Sequence, residues 1–496
     1  MLGGARSAGL PPLSGLFRPG RNCWRIERAR RAALIVDADD YYRHALAAML
    51  AARSQIILIG WDVDTRVSLS DEKPDCGAPT ALGPLLTWLS KHRPGLKIHI
   101  LAWDEGLISV PGRGTTALRL LRWAADPNIS IKWDGTHPLD ASHHQKILVI
   151  DDKLAFCGGI DITADRWDTR HHRDEEPGRR SPFTRQSYEP WHDATMAVDG
   201  DAARALGDLA RLRWKIATGV ELEEAGAPDS DPWPEALAPA FDDVRIAIAR
   251  TRGQDGAISE VREIEALFAD MIAAARQTVY IETQYFASRT VAEAIARRLR
   301  EPLSPEFVIV NPKTAEGWLD EAVMGPARAR LMRALQARDR HGRFRIYTPV
   351  TEGGLDIYVH AKVMIVDDIA FRVGSANLNN RSMGLDSECD LTVDAGSDEV
   401  ARRRIAGLRA DLIAEHFGED AKAVGAMIEK SGSLIATVET LRARGGRTLL
   451  PFEPPEPNAL EAEIAETEAL DPEGPDEMFE RRARPGLLSR LGGRGR

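Results

Sequence analysis

Several things are scarce in this chain of 496 residues, and each scarcity excludes something. Only four cysteines occur (Cys23, Cys76, Cys157, Cys389), and none has the C-x-x-C spacing of a metal or redox motif. A disulfide framework or a cysteine-ligated metal is therefore not expected, and small free thiols suit a reducing compartment. No run of 18 apolar residues occurs, which argues against a transmembrane helix. The first residues lack the apolar stretch of a signal peptide. Positive charge is not in excess: the net charge is −10, unlike the basic surface of a general nucleic-acid binder. With 43% hydrophobic and 28% charged residues, the remaining description is an ordinary globular chain, long enough for two or three domains.

What the chain does have is a repeat. His144, Lys146 and Asp151 form His-x-Lys-x4-Asp, followed by Gly158-Gly159-x-Asp161. His360, Lys362 and Asp367 repeat the pattern, followed by Gly374-Ser375-x-Asn377, every position displaced by 216 residues (360 − 144, for example). The runs KILVIDD and KVMIVDD read as buried strands, in which side chains alternate, so each histidine shares a face with its lysine. A neutral imidazole beside an ammonium suits attack on a phosphodiester, the lysine neutralising the phosphate oxygens. A second histidine from the other copy can protonate the leaving alkoxide. The Gly-Gly and Gly-Ser turns leave room for a phosphate to approach. Duplication of this dense ionisable cluster predicts one site built from two halves. Two copies at a fixed offset weigh against the plainer reading of satisfied core histidines, because buried lysines without a role are rare.

The rest of the chain fits two α/β units. Tyr41–Leu50 reads as a helix before the strand Gln55–Ile59, and Leu82–Leu89 as a helix before Lys97–Leu101. Glu265–Ala275, Val279–Ile281 and Phe307–Val310 repeat that order. Such alternation predicts two similar α/β halves, each a mixed, mostly parallel sheet flanked by helices, packed together around a shared active site. The expected organisation is a flexible leader at 1–20, a first half at 21–222, a Pro- and acid-rich linker at 223–241 and a second half at 242–446. A disordered tail at 447–496, acidic and then basic with three leucines, completes it. The polar loop from Arg166 to Glu189 has no counterpart in the second half and is expected to contact phosphate or head group. The adjacent His171 and His172 do not share a face, so no metal site is expected there.

The duplicated motif resembles the phospholipase D superfamily over roughly residues 20 to 420, and finer features resemble its eukaryotic-type branch. These are GGIDIT with RWDT (Arg166–Thr169), PWHD (Pro190–Asp193), YIETQYF (Tyr280–Phe286), IYVHAK (Ile357–Lys362) and NNRSMGLDSE (Asn379–Glu388). The resemblance implies hydrolysis of a glycerophospholipid to phosphatidate and head-group alcohol through a phosphohistidine, with transphosphatidylation as a side capacity. It implies His144 as nucleophile and His360 as acid and then base, with Lys146, Lys362 and Asn377 on the phosphate. By motif correspondence, Asp193 orients His144 and Glu388 orients His360. Ser375 is expected to donate to the phosphate, while Gly159 leaves the matching place empty. Asp161 stands where many members carry Asn and is expected to pair with Arg166. Asp151 and Asp367 fall on the opposite strand face by parity and read as structural and salt-bridged, with Gly158 and Gly374 shaping the turns. No cofactor or metal is expected, since two lysines and a protonated histidine supply the charge a metal would bring. The expected partner is phospholipid met at a membrane surface by a cytoplasmic or peripheral protein, not nucleic acid. Two alternatives remain open: a phosphatidyl transferase of the cardiolipin-synthase type, and a nucleic-acid phosphodiesterase.

Overall fold

The computed structural model describes residues 15–104, 116–138, 141–226, 229, 231–315 and 318–453. The first part of the chain contributes β1 (Arg25–Val36), β2 (Gln55–Gly60), β3 (Lys97–Trp103), β4 (Ile129–Asp134), β5 (Ile147–Ile150), β6 (Leu154–Gly158), β7 (Trp191–His192) and β8 (Ala194–Asp199). The second contributes β9 (Phe241–Arg252), β10 (Val261–Arg262), β11 (Thr278–Glu282), β12 (Glu306–Val310), β13 (Phe344–Val350), β14 (Tyr358–Val359), β15 (Val363–Val366), β16 (Ala370–Gly374) and β17 (Glu388–Asp394). A last strand, β18 (Thr448–Pro451), adds to the edge beside β13. All except β7 and β14 belong to one sheet, and its order repeats outward from the middle. From β1 it runs β8, β6, β5, β2, β3, β4; from β9 it runs β17, β16, β15, β11, β12, β13. The two copies meet where β1 pairs antiparallel with β9.

The sheet is mixed and flanked by helices, as expected, but it is not mostly parallel. Parallel pairing within it is confined to β2–β3–β4 and β11–β12–β13. The reason is local. The strands β5 and β15 that follow the two lysines turn back at once into β6 and β16 through three-residue connections. A parallel return needs a crossover of a dozen or more residues, so these short turns enforce antiparallel pairing. Asp151 and Asp367 open the turns with positive φ (54° and 49°), a conformation that Asp tolerates better than most side chains.

Apolar layers cover both faces. The helices Gly200–Thr218 and Glu399–Glu415 pack on a core shared by both copies, with Trp214, Ile246, Val373 and Leu412 buried in it. On the opposite side, Ala38–Ala51 and Leu82–His92 cover the first copy, and Glu263–Ala274 and Arg289–Leu299 cover the second. The ends depart from expectation. Phe17 is buried in the second copy's core, so ordered chain begins before residue 20; residues 1–14 lie outside the described residues. The expected disordered tail is corrected at its start, because Thr448–Pro451 pair with β13 through backbone bonds; residues 454–496 lie outside the described residues. In the connection, Trp233 and Leu237 pack into the first copy's core. No described helix is long and apolar enough to cross a membrane.

Candidate active site

Each histidine is placed by backbone bonds to the other copy. His144 N donates to Ser387 O (3.0 Å) and Ser387 N to Ser142 O (2.9 Å). In the matching place, β14 lies parallel to β7, and His360 N donates to His192 O (2.7 Å). The residue that follows each partner is a carboxylate, and it meets the histidine of the opposite copy. His144 Nδ1 lies 3.1 Å from Glu388 Oε2, and His360 Nδ1 lies 2.6 Å from Asp193 Oδ2. The pairing expected from motif order is therefore exchanged: Glu388 orients His144, and Asp193 orients His360. The physical reason lies at the junction, where β6 touches β17 (Cys157 Sγ to Cys389 O, 3.6 Å), so the strand ends of one copy face the motif of the other. A carboxylate at Nδ1 favours the tautomer with its proton there, which leaves Nε2 of each ring as the nitrogen available for chemistry.

Glycine in the first turn has a steric cause. A Cβ on Gly159 would collide with Asp193 Oδ1, so only a bare backbone lets this short carboxylate reach His360. In the second copy the longer Glu388 leaves space for Ser375, whose Oγ donates to Glu388 Oε2, while Ser382 donates to Oε1 (2.7 Å). Ser375 thus supports the orienting carboxylate and is not directed at a phosphate, contrary to expectation. Gly158 and Gly374 are required by close strands, since a Cβ would meet Thr195 and Asp390 respectively.

The lysines differ because of the Asp161–Asn377 difference. Lys146 Nζ lies 3.0 Å from Asp161 Oδ2, and Trp61 N donates to Oδ1 of the same carboxylate (3.1 Å). Asp161 therefore pairs with Lys146. Lys362 Nζ has the neutral acceptors His360 O and Gln284 Oε1 (3.1 Å). Asn377 brings no charge, and its Oδ1 makes no hydrogen bond within the protein. Burial pushes the Lys362 ammonium down to about 7, Asp193 and Glu388 opposing, Lys146 and Arg166 adding to the fall. His360 lies well below its ordinary value through burial, then through Lys362, Arg166, Lys146 and His144, which places all five groups in one electrostatic neighbourhood. Burial would raise Glu388, yet His144, Ser375 and Ser382 outweigh it and hold the carboxyl low. Asp193 is raised by burial despite Lys362 and the Ala194 amide. Lys362 thus bonds neutral acceptors and no carboxylate directly, in a cleft that also gathers Lys146 and Arg166, which suits an anion.

Asp151 and Asp367 are structural, each held by a row of backbone amides. Asp151 accepts from the amides of Arg53, Ser54 and Gln55 (2.7–2.8 Å), and Asp367 from those of Arg276, Gln277 and Thr278 (2.8–2.9 Å). Each therefore locks the turn after β5 or β15 to the start of β2 or β11. The long loop also holds structure more than ligand. Arg170 pairs with Asp411 and Glu415, Arg179 with Asp168, and Asp174 bonds Gly353 N in the second copy. Arg166 stacks over Trp191 (4.1 Å), whose ring also contacts Tyr358 and His360. The same loop walls a cavity of about 550 Å³ with Arg66, Arg180 and Tyr188. Sequence reasoning left Gln284, Ser382, Trp191 and Tyr358 unassigned, although each lies inside a quoted motif.

The family model described as "Cardiolipin synthase, PLD-like domain" matches residues 268–405. The chain is 28% identical over 471 residues to Phospholipase D A of Dictyostelium discoideum, covering 78% of this chain and 35% of that protein. It is 25% identical over 511 residues to Phospholipase D alpha 1 of Carica papaya, covering 75% of this chain and 63% of that protein. The chain is thus similar to eukaryotic phospholipases D over about three quarters of its length. It spans less than two thirds of the length of these curated relatives. A solved phosphatidylserine synthase of Haemophilus influenzae Rd KW20 is similar in fold, with a TM-score of 0.50 at 13% identity, covering 84% of this chain and 95% of that one. The geometry brings the two histidine-lysine motifs of this chain into one electrostatic neighbourhood.

Proposed function

We propose that this chain is a phospholipase D-type phosphodiesterase, a hydrolase of phosphoric diesters that cleaves glycerophospholipids to phosphatidate and free head-group alcohol. The observation that carries the reading is the crossed pair of carboxylate-held imidazoles beside a lysine bonded to neutral acceptors. His144, its ring oriented by the Nδ1–Glu388 contact so that Nε2 is the free nitrogen of the neutral imidazole, attacks phosphorus through Nε2. The P–O bond to the head group breaks as N–P forms, and His360 Nε2 gives its proton to the departing alkoxide. His360 then takes a proton from water, whose oxygen attacks phosphorus and frees His144. Lys146, Lys362 and Asn377 hold the non-bridging oxygens, and Glu388 and Asp193 position the rings. His360 is neutral in the ligand-free cleft because burial and the surrounding cations disfavour its proton. A phosphodiester brings one negative charge among those cations, so substrate entry restores the proton the acid needs. Lipid as substrate class rests on the named relatives and on the finer motifs, and the substrate is met at a bilayer surface.

The covalent intermediate supplies the test. Mixed phospholipid vesicles are incubated with the full chain, with and without ethanol, and the products are identified by mass spectrometry. Head-group release with phosphatidate alone, and phosphatidylethanol when ethanol is present, is expected, because a phosphatidyl-histidine accepts either nucleophile. The family model's description favours a second reading, a phosphatidyl transferase, which would give little phosphatidate and require an alcohol acceptor. Absence of head-group release alongside cleavage of nucleic acid would refute the lipid assignment. In His360→Asn, labelled phosphate should stay on His144; label on His360 in His144→Asn would reverse the two roles.

A further inference from the structure

Behind Asp193 lies a second ionisable cluster that the phosphate chemistry does not use. Asp37, His172, His192 and Glu415 are each at most 5% exposed and come from four distant places. Asp37 follows β1, His172 sits in the long loop, His192 ends β7, and Glu415 ends the helix Glu399–Glu415 of the second copy. Their facing atoms form a small polyhedron. His172 Nε2 lies 3.4 Å from Asp37 Oδ2 and 3.2 Å from Glu415 Oε1. His192 Nδ1 lies 3.2 Å from Asp37 Oδ1 and 3.0 Å from Glu415 Oε1. One ligand atom from each of the four lies within 4.8 Å of all the others. A tetrahedral ion with bonds of about 2.0–2.1 Å to N and O has ligand–ligand edges of about 3.3 Å.

Protonation satisfies His172, whose Nε2 bonds Glu415 Oε1 (3.2 Å), but not the rest of the arrangement. His192 donates Nε2–H to Glu282 (2.9 Å) and His172 bonds Asp168 through Nδ1 (3.1 Å), the outer carboxylate that usually backs a metal-bound histidine. The inward His192 Nδ1 and Asp37 Oδ2 are buried and make no hydrogen bond. An N–H on His192 Nδ1 would lie beside Asp37 Oδ1 and Glu415 Oε1 (3.2 and 3.0 Å) without the alignment of a hydrogen bond to either. Charge points the same way. Among the carboxylates Asp37, Asp168, Glu282 and Glu415, Glu415 pairs with Arg170 and Asp168 with Arg179, while Arg447 directs donors to the carbonyls of Arg170 and His171. Glu282 is satisfied by His192, His416 and the Tyr280 hydroxyl, so it belongs to the outer ring and not to the ion.

We propose that Asp37, His172, His192 and Glu415 hold one divalent transition-metal ion, zinc in the first place, as a structural bolt between the two copies. This departs from the expectation of a chain without metal, and it leaves the phosphate site metal-free. The bolt reaches the chemistry through position: Asp37 Oδ1 accepts from Asp193 N (3.0 Å), and His192 O accepts from His360 N. The test is metal content. The full chain, freed of any affinity tag and dialysed against metal-free buffer, should retain about one equivalent of a divalent transition metal by plasma mass spectrometry. The double variant His144→Asn/His360→Asn should retain the same equivalent, which separates this ion from the phosphate-site histidines. His171→Gln should keep it and His172→Gln should lose it. Should His172→Gln not fold, the wild-type chain decides: after denaturation with chelator, refolding should succeed with Zn(II) and fail without it. Cobalt in its place should show the visible bands of a four-coordinate site. A metal-free native chain that refolds equally well with and without zinc overturns the proposal, as does a folded His172→Gln that keeps a full equivalent.

Discussion

Replacing Lys362 with Met should make this protein more stable and nearly inactive. The ammonium is fully buried, has only the neutral acceptors His360 O and Gln284 Oε1, and is pushed by burial from 10.5 down to about 7. A base whose folded value lies below its unfolded one binds fewer protons in the folded state between the two. Wild-type stability therefore rises as pH climbs from about 7 towards 10.5, and the burial cost is fully present below about 7. That fall corresponds to about 5 kcal/mol. Methionine fills a similar length without charge but leaves two acceptors unpaired, at about 1–1.5 kcal/mol each. The net expected gain is about 2–3 kcal/mol near pH 6, turning into a loss of similar size near pH 10. Turnover should fall by about 10²–10³ or more, the usual effect of removing one group that stabilises transition-state charge. Urea or thermal unfolding of both proteins across this pH range, with head-group release as the activity assay, checks both halves. A variant less stable than wild type at the acid end, or a difference that does not change with pH, would refute the reasoning.

The crossed carboxylates give a sharper test of roles. Asp193→Asn should lower turnover on a choline lipid by about 10²–10⁴, with much of the loss recovered on a nitrophenyl ester whose leaving group needs no proton. Glu388→Gln should slow both substrates alike, and the opposite pattern would exchange acid and nucleophile. Gly159→Ala should fold, as judged by circular dichroism, yet show the leaving-group dependence of Asp193→Asn, because the new Cβ displaces that carboxylate. For His360, depressed in the free cleft and raised by the substrate phosphate, the basic limb of kcat should lie at higher pH than that of kcat/KM. Coincident limbs would show that the phosphate does not supply its proton affinity.

The sequence made the repeat, the strand order and the four motif residues legible, because apolar runs before Asp151 and Asp367 and a constant offset survive without structure. It could not show direction or exchange. Whether β5 returns parallel or antiparallel depends on a three-residue turn, not on periodicity. Whether Glu388 serves His144 or His360 depends on which way the copies face. The Lys146–Asp161 pair was hidden for a related reason: strand geometry, not nearness in sequence, aims Lys146 at that carboxylate. His172 and Glu415 lie 243 residues apart and have no echo in the other copy. A reading built on the repeat had nothing to compare them with.

The exchange of carboxylates fixes what a single copy can be. Cut at the connection, the first piece would hold a histidine with no acceptor and an aspartate with no ring to orient, and the second piece would hold the mirror of that deficit. Neither piece is a weaker enzyme; each is half of two incomplete devices. Co-expressed as separate chains, they should regain turnover only when they associate, with first-order dependence on each. The arrangement would work equally in a symmetric pair of identical copies, and one continuous chain frees the two sides to differ. Gly159 against Ser375, Asp193 against Glu388 and Asp161 against Asn377 are differences that an identical pair could not carry.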